Sequence, residues 1–442
     1  VTYGDALEWL DRHVNLERIE RGTAGRYALP TLDRMRALLT ACGDPQRDYP
    51  ILQVTGTNGK GSTCRIAASL LRAQGVTTGL LTSPHQRLND RIATDEGPIT
   101  DAELAAILVI LEALEPFLAE RYPDLDPPSW FELVTAAGYR HLSDVAVEAA
   151  VVEVGMGGRY DATSVADATV GVVTNVELDH VEILGPDRPS IASEKAGILK
   201  AGTLGIIGET DEELAAIFAA EALEVGAAGI WRRGIEFGAG ASRVAHGGRL
   251  VDLWTPGATY DDVFLPLFGA HQAENAAAAL AAVEAFLAFP LDPGVVAEGF
   301  AASTSPGRLE VVSRQPLVLL DGAHNEAGAA ALGLALEEDF AATEGIVLVL
   351  GCLTGRDPYV LLEAIGTDRI RTVVATAPET LRALPAAEVA AASEAAGLPV
   401  EIVEDVEEAV AYACRLVGPN DGVVVTGSLY VVWEARAAAL SQ

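Results

Sequence analysis

Lysine is nearly absent. The chain has three in 442 residues, Lys60, Lys195 and Lys200, and arginine supplies the rest of its 30 basic side chains. A codon-biased genome accounts for how few there are, but not for where they stand. Lysine kept at so few places marks positions where arginine's rigid fork will not serve. Positive charge is short overall: 63 acidic against 30 basic residues give a formal net charge of −33. That argues against nonspecific attraction to nucleic acid or anionic membrane. The four cysteines, Cys42, Cys64, Cys352 and Cys414, show no CxxC spacing. They read as thiols in a reducing compartment, not as a disulfide frame or zinc site. No uninterrupted apolar run approaches the ~18 residues of a membrane span. Val1-Thr2-Tyr3-Gly4-Asp5 has no basic stretch leading into an apolar one. A soluble, cytoplasmic protein is expected.

What is present is a large apolar fraction, 50%, and a length that predicts two or three domains. Short apolar runs at 51–54, 78–81, 149–154, 169–174 and 205–207 alternate with helical stretches. This predicts a mostly parallel sheet with helices on both faces. Residues 228–268 are glycine-rich, with β-prone pieces at 230–231, 250–254 and 263–267, and read as a small antiparallel patch. An alanine-rich helix is expected over 271–289. Prolines near 290–307 mark a linker, after which runs at 317–320, 346–350, 372–375, 400–403 and 422–426 restart the alternation. The expected fold is α/β: a P-loop-type, mostly parallel sheet domain over 1–298, with the antiparallel patch, and a smaller C-terminal Rossmann-like α/β domain over 299–442. Ligands of open α/β sheets sit at the carboxyl ends of strands, so the nucleotide is expected between the domains.

The first lysine stands in Val54-Thr55-Gly56-Thr57-Asn58-Gly59-Lys60-Gly61-Ser62. Strand, glycine turn and helix form a phosphate cradle: backbone N–H groups and the helix N-terminus meet the anion, and the lysine adds a point charge. Ser62 could bond phosphate or cap the helix. Glu153 interrupts the run Ala149-Ala150-Val151-Val152-Glu153-Val154. A carboxylate at the end of a buried strand must be paired or hold a metal; Arg159 is the competing partner. Asn175, Asp179 and His180 cluster just after another strand, a possible ligand set.

The loop resembles that of the Mur ligase superfamily, and the glycine between Lys60 and Ser62 resembles its folylpolyglutamate synthase/dihydrofolate synthase family. Other segments match that family in the same order: Ser83-Pro84-His85, Phe131-Glu132, Glu153-Val154-Gly155-Met156-Gly157-Gly158-Arg159-Tyr160-Asp161-Ala162-Thr163, Thr174-Asn175 with Asp179-His180, Glu194-Lys195-Ala196-Gly197-Ile198, His271-Gln272 with Asn275, Pro306-Gly307-Arg308-Leu309-Glu310, and Asp321-Gly322-Ala323-His324-Asn325. The sequence departs from the pattern at Gln86, Asp90, Glu326, the segment Thr354-Gly355-Arg356-Asp357 and residues 18–27; none removes the phosphoryl chemistry, and together they bear on the folate and glutamate contacts.

The resemblance implies a set of roles. Thr57, Asn58, Gly59, Lys60, Gly61 and Ser62 would bind ATP, with Asn275, Arg308 and Asp321. Ser83 and Glu153 would hold one Mg²⁺; His180 and a carbamylated Lys195 would hold a second. The competing reading of Lys195 is a surface helical lysine, and Lys200 is expected to cap the same helix. Lys60, His180, Lys195, Arg308 and His324 would serve catalysis, and His324 and Ser428 would face glutamate or folate. Arg18, Arg21 and Arg26 would lie near the pterin or on a solvated face. The implied activity is ATP-dependent joining of L-glutamate to dihydropteroate, to folate polyglutamates or to both, through an acyl phosphate, by a monomer. Two other readings stay open: a Mur-type ligase for another acid and amino acid, and a P-loop nucleotide-binding regulator.

Overall fold

The computed structural model describes residues 2–15, 31–83 and 87–440. Arg18, Arg21, Arg26, Pro84, His85 and Gln86 lie outside the described residues. The chain divides into two compact units: Val1–Gly240 with Asp252–Val263 and Glu274–Ser303, and Ala241–Val251 with Phe264–Ala273 and Thr304–Gln442. The second unit's main segment therefore starts at Thr304, and two earlier segments cluster with it.

In the first unit, α1 (Tyr3–Leu10) opens on a reciprocal cap between Thr2 and Asp5, and α2 (Asp33–Ala41) follows. The fully buried β1 (Ile51–Thr55) turns through the glycine loop into α3 (Lys60–Ala73). Then come β2 (Thr78–Leu81) and two short strands, β3 (Ile92–Thr94) and β4 (Gly97–Pro98). Helix α4 (Asp101–Arg121) starts on the Thr100–Glu103 capping box and α5 (Trp130–Asp144) on the Ser129–Glu132 box. In each box the hydroxyl accepts one orphan N–H and the carboxylate another. Next are β5 (Ala149–Glu153), β6 (Val170–Val173), α6 (Val181–Leu184), α7 (Arg188–Ala196), β7 (Leu204–Ile207), α8 (Glu212–Val225) and β8 (Gly229–Arg232).

The sheet order is β4-β3-β2-β5-β1-β6-β7-β8. All pairings are parallel except those of β3 and β4. From β1 the chain runs first to β2 on one side and later, after β5, crosses to β6 on the other. The carboxyl end of β1 is therefore a topological switch point, where open α/β sheets take their ligands. One expectation fails here. Residues 230–231 do not belong to the antiparallel patch; they lie in β8, which pairs parallel to β7 through Ile206 and Trp231. A two-residue apolar piece carries no direction, and only the partner strand supplies it.

The antiparallel patch is β9 (Gly238–Ala245), β10 (Gly248–Trp254) and β11 (Thr259–Leu265), in the order β11-β10-β9. Helices α9 (His271–Leu287) and α10 (Pro293–Ala301) follow.

The second unit carries a six-stranded sheet. Its elements are β12 (Glu310–Arg314), β13 (Leu317–Leu320), α11 (Glu326–Glu338), β14 (Ile346–Leu350), α12 (Pro358–Ile365), β15 (Ile370–Ala375), α13 (Ala386–Ala395), β16 (Val400–Ile402), α14 (Val406–Leu416), β17 (Gly422–Thr426) and α15 (Leu429–Leu440). The order is β12-β13-β17-β14-β15-β16, parallel except for β12 against β13. Alternate residues of β14 enter different cores: Ile346, Leu348 and Leu350 one, Val347 and Val349 the other. A strand buried on both faces reads as a continuous apolar run, which is why these strands stand out in the sequence.

Candidate active site

The glycine loop after β1 is held from behind. Gly59 has φ 82°, and a Cβ there would lie 2.3 Å from Asn275 Oδ1. Only glycine permits both the turn and the approach. The helix starts at Lys60, so Ser62 stands within its first turn and not at the cap position. The Lys60 ammonium donates to the carbonyls of Gly56 at 3.0 Å and Thr57 at 3.1 Å, folding the loop around its own cation.

Six hydrogen bonds fasten Thr57 and Asn58 to the segment after β6. The Thr57 N–H donates to Asn175 O at 3.0 Å; the Thr57 hydroxyl donates to Glu177 O at 3.1 Å and accepts the Glu177 N–H at 3.0 Å. The Asn58 N–H donates to Asn175 Oδ1 at 3.0 Å, and Asn58 O accepts from Thr174 Oγ1 at 2.6 Å and Asn175 Nδ2 at 3.1 Å. The same segment leads to Asp179 and His180. Asp179 Oδ1 accepts the His180 backbone N–H at 2.8 Å and stands 3.8 Å from Nε2. Asp179 thus fixes the turn, in which His180 takes φ 51°, a strained region for a residue with a Cβ.

Glu153 ends β5, paired with Val54 of β1. Its Oε2 accepts the Ser83 backbone N–H at 3.0 Å, and a Cβ on Gly61 would sit 3.5 Å from the same oxygen. Glu153, Ser83 and the loop are therefore neighbours. The competing partner Arg159 is engaged elsewhere, donating to Glu221 at 2.8 Å and to Ser193 O at 3.2 Å.

Lys195 is in the last turn of α7 and is 2% exposed, so the surface reading fails. The end of its helix lies against Gly158, where a Cβ would be 2.7 Å from Glu194 O and 3.0 Å from Lys195 Cα. Among the described residues its ammonium makes no hydrogen bond or ion pair. Burial, and then the Lys60 cation, push its pKa down to about 7, against the opposing pull of Asp179 and Glu194. Such an amine is substantially neutral, hence nucleophilic, near neutral pH. Lys200 does not cap that helix. Its ammonium donates to the carbonyls of Ser164 and Ala166 and stands 3.7 Å from Asp167.

A second group gathers at the carboxyl ends of β13 and β17 in the other unit. Asp321 accepts the N–H groups of Leu309 and Ala323, each at 2.9 Å, one on each oxygen. Its carboxylate is thus engaged in holding the turn around Arg308, in which Leu309 takes φ 49°. Burial raises the Asp321 pKa, and the Arg308 charge opposes this. His271 is pushed down to about 4 by burial and then by Arg308 and Arg249, which makes it a neutral imidazole. The His324 Nδ1–H donates to Gly322 O at 2.8 Å, and Asn325 caps α11 by accepting the Gly328 N–H at 2.8 Å. Gly427 N–H bonds Ala323 O at 3.1 Å, and next to it Ser428 Oγ accepts the Val431 N–H at 3.3 Å.

The structure thus forms two groups. Lys60, Ser62, Ser83, Glu153, Asn175, Asp179, His180, Lys195 and Asn275 surround the glycine loop; Arg308, Asp321, His324 and Ser428 surround the turn of the second unit. Among the described residues no three His, Cys, Asp or Glu side chains converge as a metal site. The implied set draws on other types as well, a serine hydroxyl and a modified lysine. Two residues behind the loop, Arg188 and Glu209, stand in no motif. Glu209 had a signal: like Glu153, it follows a buried apolar strand, here β7 with Gly208 between.

A family model described as the Mur ligase middle domain matches residues 134–283, and one described as the Mur ligase glutamate ligase domain matches 307–429. The chain is 38% identical over 440 residues to the dihydrofolate synthase/folylpolyglutamate synthase of Mycobacterium tuberculosis, covering 92% of this chain and 89% of the relative. It matches the crystal structure of Mycobacterium tuberculosis folylpolyglutamate synthase complexed with ADP and AMPPCP at TM-score 0.89 and 37% identity, over 99% of this chain and 97% of that one. It matches a bifunctional folylpolyglutamate synthase/dihydrofolate synthase from Yersinia pestis, complexed with AMPPNP and Mn ion, at TM-score 0.84 and 28% identity, over 100% and 98%. The chain belongs to the folylpolyglutamate synthase/dihydrofolate synthase family.

Proposed function

We propose that this chain is an ATP-dependent ligase that joins L-glutamate to folate-type carboxylates, both dihydropteroate and folate (poly)glutamates. The observation that carries the reading is the glycine loop itself, clasped to the 174–180 segment and flanked by Glu153 and Lys195, in a chain of this family. A carboxylate and an amine do not condense in water. ATP would transfer its γ-phosphoryl group to the acceptor carboxylate, giving an acyl phosphate and ADP. The glutamate amine then attacks the acyl carbon and phosphate departs. Lys60 and the loop N–H groups would stabilise charge on the transferring phosphoryl group, with Arg308 contributing a further cation.

The residues around the loop fit a hard divalent cation. Ser83 and Glu153 are adjacent oxygen donors for one Mg²⁺, and the neutral amine of Lys195 suits reaction with CO₂ to a carbamate, which with His180 would hold a second. Mg²⁺ at such sites would neutralise phosphate oxygens. Asp321 acts from one step back, fixing the turn that presents Arg308.

The test is phosphate release from MgATP with L-glutamate and either dihydropteroate, a reduced folate monoglutamate or no acceptor. Release with both acceptors and none without supports the bifunctional ligase. Release with one alone restricts the substrate to that one, and silence with both, while nucleotide binds, overturns the reading.

A further inference from the structure

The segment that clasps the glycine loop is itself pinned on its far side, at both backbone polar groups of one residue. The Val176 N–H donates to Glu209 Oε2 at 2.9 Å, and the Val176 carbonyl accepts from Arg188 Nε at 2.8 Å. The two side chains also meet each other, Arg188 donating to the same Glu209 oxygen at 3.3 Å. The remaining groups of both are occupied. Glu209 Oε1 accepts the N–H groups of Thr210 and Asp211, each at 2.9 Å. Arg188 reaches Asp211 at 3.4 Å, with Glu177 at 3.8 Å.

These partners belong to different elements. Arg188 is the first residue of α7, whose last turn carries Lys195. Asp211 caps α8. Val176 lies between Asn175 and Glu177, which together make five of the six bonds to Thr57 and Asn58. A connected path therefore runs from the start of the Lys195 helix, through the backbone of Val176 and its two neighbours, to the loop around Lys60. Glu209 is 6% exposed, and its charge is matched by Arg188 and three N–H groups, so the pair is tight enough to transmit position.

We propose that Arg188 and Glu209 are a positioning pair for the phosphate loop: they set the 174–180 segment, and so the spacing between Lys60 and Lys195, without touching substrate. The proposal rests on the nucleotide-binding part of the ligase reading. It predicts a selective defect. Arg188→Ala and Glu209→Gln raise KM for MgATP and weaken Mg-ADP binding about tenfold, the scale of one lost charge-assisted hydrogen bond, while KM for glutamate and for the acceptor stays within about twofold. Arg188→Lys recovers part of the affinity, since one ammonium can meet Glu209 or the Val176 carbonyl but not both in the guanidinium's geometry.

The experiment is titration calorimetry with Mg-ADP on the full chain, beside steady-state kinetics and a thermal unfolding scan for each variant. Weakened nucleotide binding in a folded variant, with the other two KM values held, supports the pair. Wild-type affinity in folded variants overturns it, as does an equal loss toward all three substrates. Where Arg188→Ala does not fold, Glu209→Gln decides alone, because it keeps the shape and an acceptor; failure of both to fold makes the pair a fold determinant and overturns the proposal. If the wild type binds Mg-ADP but turns over no folate, the ligase reading falls while the calorimetry still judges the pair.

Discussion

Lys195 and Lys200 lie five positions apart, one inside the end of α7 and one beyond it, and the molecule gives them different surroundings. Lys200 donates hydrogen bonds to the carbonyls of Ser164 and Ala166, and although burial lowers its pKa, the Asp167 charge opposes that shift and the ammonium fastens one segment to another. Lys195 is buried more deeply, meets no hydrogen-bond acceptor among the described residues, and feels the Lys60 charge. The first environment suits a cation and the second suits a neutral amine. The difference teaches that scarcity of a residue type marks special positions without saying what is special about each. Lys60 is a third case, an ammonium bound to the loop it serves.

The contrast can be broken at its most demanding member. Lys60→Met removes the cation beside the transferring phosphoryl group, and kcat for phosphate release is expected to fall about 10²–10³-fold, the usual loss for one preorganised electrostatic group. Because the Lys60 charge also depresses Lys195, the same variant raises the Lys195 pKa, which titration by NMR of a labelled lysine would read.

Carbon dioxide sharpens the contrast next. A neutral amine forms a carbamate, and an ammonium does not. Wild-type activity is expected to fall severalfold in CO₂-free buffer, to return with bicarbonate at pH 8, and to respond little at pH 6, below the pKa of about 7. Lys195→Arg should be inactive with or without bicarbonate, since arginine does not deprotonate. Activity indifferent to CO₂ would remove the carbamate from the site.

Stability gives a third separation, with opposite signs for the two lysines. Lys195 titrates near 7 in the folded chain against 10.5 for an ordinary lysine. Between those values the unfolded chain holds a proton the folded chain lacks, so this residue's penalty is complete below pH 7 and fades as pH rises toward 10.5. Without CO₂, Lys195→Met should therefore be more stable than wild type by a few kcal/mol at pH 6, with the gap closing toward pH 10 in urea titrations. Lys200→Met should cost about 1–3 kcal/mol at neutral pH, because it leaves buried carbonyls without their donor, and should leave KM for MgATP unchanged. The smallest effect belongs to the Thr100 capping box, where Thr100→Ala should cost about 1 kcal/mol and no activity.

Much of this was legible in the sequence, for identifiable reasons. The parallel strands are buried on both faces and stand out as apolar runs. Glu153 stood out because it broke such a run, and the glycine loop because strand, turn and helix follow without a gap. Other features were hidden because they depend on partners distant in sequence. The burial of Lys195, the packing of its helix end against Gly158 and the effect of the Lys60 charge on its pKa all arise in the fold, while its own helix, 188–196, reads as polar. The role of Lys200 depends on carbonyls at 164 and 166. Strands β8 and β12 gain their identity only from β7 and β13. Asp321, expected to bind ATP, also holds the backbone of Leu309 and Ala323, which no motif states.

Gly158 has a bearing on how this sequence can change over time. Any side chain there would meet the backbone of Glu194 and Lys195. A packed interior yields by displacement and not by compression. A mutation at this position would therefore reach Lys195 by shifting its helix, although Gly158 lies 37 positions earlier in the chain. Drift around the lysine is governed by a residue with no functional group, and a library randomised only over polar site residues would miss the position that most constrains them.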